Sequence, residues 1–164
     1  MYSDLLELLS ALDGVQQSPR FHPEGDALFH SLQVYELARS ATADRALWAA
    51  ALLHDVGKAV NSADHARIGA ELLDGTVSPR IVWLVRHHLD LLEAPARTKR
   101  RLRGTAALHD LQRVRAWDVG GRKPYAAGPH LEAALETLLA PGFETLTAQH
   151  GEPAPLTDHE ESYF

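Results

Sequence analysis

A chain of 164 residues, 45% hydrophobic and 23% charged, has the make-up of a water-soluble globular domain large enough to bury a core. No apolar run approaches the roughly 20 residues that span a bilayer, and the absence of cysteine excludes disulfides, thiolate zinc sites and a thiol nucleophile. The net charge of −6 argues against a broad electrostatic nucleic-acid surface, leaving a small substrate or one locally contacted strand end.

The N-terminus opens on the acidic, helix-forming stretch Ser3-Asp4-Leu5-Leu6-Glu7. With no basic region there, no secretion signal is expected, and a cytoplasmic location is. Ser3 to Leu12 reads as a short amphipathic helix stopped by Gly14. After a loop containing His22-Pro23-Glu24-Gly25, a second helix runs from about Asp26 to Ala41. Its apolar positions Val34, Leu37, Ala38 and Ala41 form one face, and projecting that face backwards places His30 and Asp26 on it. A third helix starts near Thr42 or Asp44, carries the apolar run Leu47 to Leu53, and ends at His54-Asp55, with Gly57 as its expected C-terminal cap.

The fourth helix, about Asp64 to Leu73, aligns His65 with Ile68 and Leu72 before Gly75. The fifth begins after Ser78, with Pro79 in its first turn, and leads through Ile81, Leu84 and Val85 to His87-His88. A basic segment follows Pro95, with Arg97, Lys99, Arg100, Arg101 and Arg103. A sixth helix, about Thr105 to Asp118, carries Ala107, Leu111 and Val114 on one stripe and stops at Gly120-Gly121. A last helix, Pro129 to Ala140, precedes an acidic, proline-containing tail expected to be loosely ordered. No stretch alternates at period two. The expectation is an all-α bundle of about six to eight helices, one domain over residues 1–140 with a tail over 141–164.

The chemistry lies in what these helices aim inward. His30, His54, His65, His88 and Asp118 each fall in register with the apolar stripe of a different helix, and His87 and Asp55 adjoin two of them. Polar groups on inward faces need partners. A single inward histidine is commonly a hydrogen-bonded core residue, and Asp118 alone would be a solvent-facing helix end. Histidines and aspartates converging from five helices have a shared solution in a divalent metal ion, for which imidazole and carboxylate are both ligands.

The order His30, His54-Asp55, Asp118 resembles the H…HD…D pattern of the HD superfamily of metal-dependent phosphohydrolases, and His-Asp-Val-Gly-Lys on an apolar helix is a specific string. His65 and His87-His88 resemble the additional histidines of HD subfamilies with two or more metals. More narrowly, several stretches are similar to the HD domain of bacterial CCA-adding tRNA nucleotidyltransferases. These are His22-Pro23-Glu24-Gly25-Asp26, His65 with Gly69-Ala70-Glu71, Val85-Arg86-His87-His88 and Asp118-Val119-Gly120-Gly121-Arg122. The likeness covers roughly residues 20 to 125. Val119 stands where that family has alanine, no Gly-Tyr-Pro follows His88 as in cyclic-dinucleotide phosphodiesterases, and no nucleotidyltransferase head is expected.

The resemblance implies an HD-type phosphohydrolase, acting through a metal-activated water on a nucleotide phosphoester, either a 2′,3′-cyclic diester or a monoester. His30, His54, Asp55 and Asp118 would hold a first ion. Asp55 would bridge to a second held by His65, His87 and His88. Manganese, iron, cobalt, nickel and zinc all suit such ligands, and magnesium is admissible. Lys58, one turn beyond the ligands, is assigned to phosphate or leaving-group stabilisation. Arg122 and Lys123 are candidates to grip a substrate phosphate, with a solvated surface as the favoured alternative, and Asp26 to ligate or to orient His30. The segment Arg97 to Arg103 would hold an RNA end or be a solvated face. With no aromatic residues interleaved to stack bases, the solvated face is favoured. The rival readings are a dinucleoside polyphosphate hydrolase and a metal-containing nucleotide sensor without turnover. Nothing in the pattern indicates an oligomer or a membrane partner.

Overall fold

The computed structural model describes residues 1–23, 25–124 and 129–141. Its α-helices are α1 (Tyr2–Ser10), α2 (Ala27–Ala41), α3 (Arg45–Leu53), α4 (His65–Leu73), α5 (Pro79–His87), α6 (Asp90–Glu93), α7 (Pro95–Arg101), α8 (Ala106–Gly120) and α9 (Leu131–Leu138). Two 3-10 turns, Val56–Ala59 and Ser62–Asp64, join α3 to α4. The described residues form no strand, apart from an isolated bridge between Gln16 and Asp26. The domain is all-α, as expected. Of the nine helices among the described residues, α6 is a single turn, which leaves eight against the expected six to eight. The acidic tail from residue 142 onward lies outside the described residues.

Helix α3 determines the architecture. Its sequence, Arg45-Ala46-Leu47-Trp48-Ala49-Ala50-Ala51-Leu52-Leu53, is apolar all round after its first residue, and such a helix is stable only when covered on every side. It packs against α2, α5, α8 and α9. Leu52, Leu53 and Ala49 belong to one core with Leu5, Leu9, Tyr35 and Ile81. Leu47, Ala50 and Ala51 belong to a second with Val34, Leu84, Leu111 and Trp117. Leu47, Leu52 and Leu53 are wholly buried, each contributing about 1.5–3 kcal/mol of burial free energy. The small alanines between them let neighbouring helices approach. The outcome is a rigid central rod whose C-terminal end delivers His54-Asp55 to the middle of the bundle.

Asp44 starts α3 by accepting from Ala46 N at 3.0 Å, and its other oxygen accepts from Arg80 Nη2 at 2.8 Å. Arg80 also donates to buried Asp110 at 2.8 Å. One guanidinium thus ties α5 to α3 and α8, with the geometry that suits arginine between carboxylates. Asp26 likewise caps α2, with Oδ1 accepting from Phe29 N at 2.9 Å and Oδ2 from Gly14 N at 2.7 Å.

Gly57 is not the C-terminal cap of α3. It lies within the 3-10 turn, and its φ is not among the positive ones. A Cβ there would run into the carbonyl oxygen of His65 and lie 2.7 Å from Gly69 N. Glycine is needed because this turn presses backbone to backbone against α4. Gly121 has a related role: a Cβ would meet Val34 Cγ2 at 2.7 Å, so the end of α8 lies directly on α2. No described helix is long and apolar enough to cross a membrane.

Candidate metal centre

Five elements converge where α3 ends. His30 comes from α2, His54 and Asp55 from the end of α3, His65 from the start of α4, His88 from the end of α5, and Asp118 from α8. All six are buried. Asp55 sits at the centre of the group. Its Oδ2 lies 3.3 Å from His54 Nε2 and 4.0 Å from His30 Nε2. Its Oδ1 lies 3.2 Å from His65 Nε2 and 3.8 Å from His88 Nε2. Two groups with metal-ligand spacing result, His30-His54-Asp55 and Asp55-His65-His88. Asp55 belongs to both and turns one oxygen to each.

Hydrogen bonds decide which ring nitrogen faces this centre. His54 Nδ1 lies 2.8 Å from Ala51 O, His65 Nδ1 2.8 Å from Ser62 O, and His88 Nδ1 2.7 Å from Val85 O. A carbonyl can only accept, so each Nδ1 carries the proton and donates. A neutral ring is then left with its lone pair on Nε2, pointing inward. His54 Nε2 is buried without a hydrogen-bond partner. His65 and His88 bring their Nε2 atoms to 3.2 Å of each other, which puts two lone pairs face to face unless a cation or an extra proton intervenes. Orphaned acceptors converging on a buried carboxylate fit a divalent ion, and Nδ1 donation to a carbonyl is the usual support of a ligating histidine.

The charges of these groups are closely coupled. Burial opposes ionisation of Asp55, but His54, His65 and Lys58 overcome it and hold the carboxyl well below the usual range. Burial likewise opposes protonation of His54, and the adjacent Asp55 raises its pKa nonetheless. Burial, then the charge of His54, push His88 down to about 3, so its ring is neutral and able to ligate. Asp118 is held below the carboxylate range; burial opposes this, and the bond from His30 and the charges of His54, His30 and Arg122 prevail.

A pocket of about 490 Å³ opens onto this cluster, with Asp55, His65, His88 and Asp118 on its floor and Lys58 and Arg122 on its wall. Lys58 Nζ donates to Asp55 Oδ2 at 2.7 Å and to Gln17 Oε1. Arg122 Nη2 lies 3.3 Å from Asp118 Oδ1.

Three expected participants are placed elsewhere. His87 is outside both ligand groups. Its Nδ1 donates to Asp90 at 2.9 Å and its ring lies 4.6 Å from that of Trp83. Adjacent helical residues point about 100° apart, so His88 turns inward and His87 does not. Asp26 is the N-cap of α2, each of its oxygens accepting from a backbone N–H group, and is in neither ligand group. Lys123 is exposed and lines a separate cavity of about 140 Å³ with Gln33, which binds the Lys123 backbone. Val119 is exposed as well. The basic segment forms α7, where Arg101 pairs with Asp90 at 3.1 Å and Arg97, Lys99 and Arg100 face solvent.

The pocket takes in further residues. His22 lines the pocket, its ring 5.0 Å edge-on from that of His30. Phe21 and Leu92, both more than half exposed, form its apolar rim. Arg115 reaches it from α8, and its spacing three residues before Asp118 is the one signal that could have found it.

Two overlapping ligand groups make distinct predictions. His65→Ala should weaken one of two divalent-ion binding events and spare the other, whereas His87→Ala should leave both unchanged. Titration of the ion-free protein with Co²⁺, followed calorimetrically, separates these outcomes. Equal losses in the two variants would show that His87 ligates.

The fold and ligand set define a class, and sequence comparison agrees. The HD domain family profile matches residues 28–122, more than half the chain. The protein belongs to the HD domain family, a superfamily of metal-dependent phosphohydrolases. Among individual proteins, the chain is similar to the multifunctional CCA proteins of three bacteria. That of Halorhodospira halophila is 48% identical over 60 residues, covering 37% of this chain and 14% of the relative. That of Aromatoleum aromaticum is 32% identical over 157 residues, covering 80% and 39%. That of Hahella chejuensis is 28% identical over 177 residues, covering 89% and 42%. The chain therefore spans less than half the length of these relatives.

Proposed function

We propose that the protein hydrolyses a phosphoester of a nucleotide, a 2′,3′-cyclic phosphodiester or a phosphomonoester, with one or two divalent transition-metal ions. The observation that carries this reading is the set of inward Nε2 lone pairs around Asp55, each fixed by an Nδ1–H bond to a backbone carbonyl. No hydrogen-bonded network of neutral side chains satisfies that arrangement.

His30, His54, Asp55 and Asp118 would hold the first ion, and Asp55, His65 and His88 the second. When bound, such ions supply Lewis acidity and acidify water. The chain's own groups do the remainder. Bonds from Nδ1 to backbone carbonyls orient the rings of His54, His65 and His88 with Nε2 toward Asp55. Lys58, beside Asp55, faces the pocket and is placed to neutralise a phosphoryl or leaving-group oxygen. Arg122 contributes a planar fork of donors matched to phosphate. The pocket of about 490 Å³ falls within the range of small-molecule sites and suits a nucleotide or the end of an RNA.

The test has two parts. Protein purified without chelators should contain a transition metal by elemental analysis, and the ion-free form should bind Mn²⁺, Co²⁺ or Ni²⁺. The loaded protein should then release product from bis(p-nitrophenyl) phosphate, 2′,3′-cyclic AMP or a nucleoside monophosphate. Failure to bind any of the three ions ends the proposal. Ions bound with no turnover on any substrate would transfer the site to a sensing role.

A further inference from the structure

Asp118 is crowded by cations. Its Oδ1 accepts from His30 Nε2 at 3.1 Å and Arg122 Nη2 at 3.3 Å. Its Oδ2 accepts from Arg115 Nη1 at 2.7 Å, with Arg122 Nη2 at 3.5 Å. A carboxylate offers about four lone-pair positions, and here every one is addressed. Asp118 is also not a member of either group with metal-ligand spacing, although His30, its partner, is.

Arg115 makes the shortest of these contacts. It lines the pocket, and its side chain is 22% exposed. Its neighbour Arg122 has a buried Nε without a hydrogen-bond partner. Both arginines line the pocket that holds the candidate ligands, and their contacts with Asp118 use only part of the five donors each guanidinium offers. A group with several anionic oxygens satisfies such a pair, and a phosphoryl group matches the guanidinium fork.

We propose that Arg115 is a phosphate-binding residue that rests on Asp118, so that a divalent ion and a phosphoryl group divide the Arg115–Asp118 pair between them. An ion competes with Arg115 for the charge of Asp118. A phosphate that takes up Arg115 removes that competition, and by linkage the ion strengthens phosphate binding by the same factor. The inference rests on the metal-dependent reading above and adds to it a residue and a coupling. The opposite arrangement, in which Arg115 orients Asp118 toward the ion, predicts the reverse sign.

Free Mn²⁺, counted by its electron spin resonance signal, gives its dissociation constant with and without inorganic phosphate. Three variants accompany the wild type: Arg115→Gln, Arg115→Lys, and Arg39→Gln as a control on a surface pair with Glu36. Arg115→Gln is expected to bind Mn²⁺ more tightly in the absence of phosphate, by about tenfold, the scale of one hydrogen bond between charged groups. Phosphate should tighten Mn²⁺ binding in the wild type and in Arg39→Gln by more than in Arg115→Gln. Direct contact between phosphate and the ion contributes equally to all, so the difference is decisive. Arg115→Lys keeps the charge and loses the fork, so its affinity without phosphate should stay near that of the wild type while the coupling falls. Circular dichroism confirms that each variant is folded. Weaker or unchanged Mn²⁺ binding by a folded Arg115→Gln overturns the proposal and leaves the metal reading intact. A wild type that binds no Mn²⁺, Co²⁺ or Ni²⁺ overturns both.

Discussion

Asp55→Asn should lower binding of divalent ions at both ligand groups together and reduce phosphoester hydrolysis by roughly a hundred- to thousandfold or more, the scale of losing one preorganised electrostatic group. The reason is geometric. Each oxygen of Asp55 faces a different pair of histidines, Oδ2 toward His54 and His30 and Oδ1 toward His65 and His88. An amide in its place offers one oxygen and no charge, and its NH2 would turn a donor toward one histidine pair. Lys58, now 2.7 Å from Asp55 Oδ2, would lose its counter-charge in a half-buried place. Removing one partner of a buried pair costs about 3–5 kcal/mol, so the ion-free variant should also melt earlier. Calorimetry for the ions and a chromogenic assay for turnover measure the two effects. Loss of one binding event with the other intact would refute a bridging role for Asp55.

Gly57→Ala should be the most damaging single-methyl change in this region. The added carbon would collide with the His65 carbonyl and with Gly69 N at 2.7 Å, and both are backbone, which cannot rotate aside. Forced apart, the turn after Asp55 and the start of α4 would shift His65 relative to Asp55. An overpacking cost of about 3 kcal/mol corresponds to a fall in Tm of roughly 10 °C for a domain of this size. Binding at the group containing His65 should weaken, while the group containing His30 is spared. A thermal melt within a degree or two of the wild type would show that this contact is not tight in solution.

The two variants mark the border between what the chain displays locally and what packing adds. The helices and their inward faces are legible because the spacing of apolar residues at three and four is a local property. His30, His54, His65, His88 and Asp118 could be read as inward from that spacing, and all five are buried. The same logic does not reach Asp26, since a helical projection does not extend to a capping residue, whose backbone here is extended at φ −95° and ψ 133°. It could not choose between His87 and His88, which are neighbours in sequence; the structure puts His87 beside Trp83 and Asp90 and brings His88 into a group with Asp55 and His65. Nor could it position Lys123, which follows the end of α8 and has no period to follow.

By itself, then, the sequence determined the all-α class, the buried rod ending in His54-Asp55 and the imidazole and carboxylate groups aimed at it. These depend on residue type and on periodicity within single helices. Only the tertiary structure decided that Asp55 faces two groups at once, that Gly57 exists to bring two backbones together, and that Arg115 joins Arg122 and Lys58 at the pocket. Those features depend on distances between segments far apart in the chain, and such distances are set by how whole helices pack, which no local pattern of side chains records.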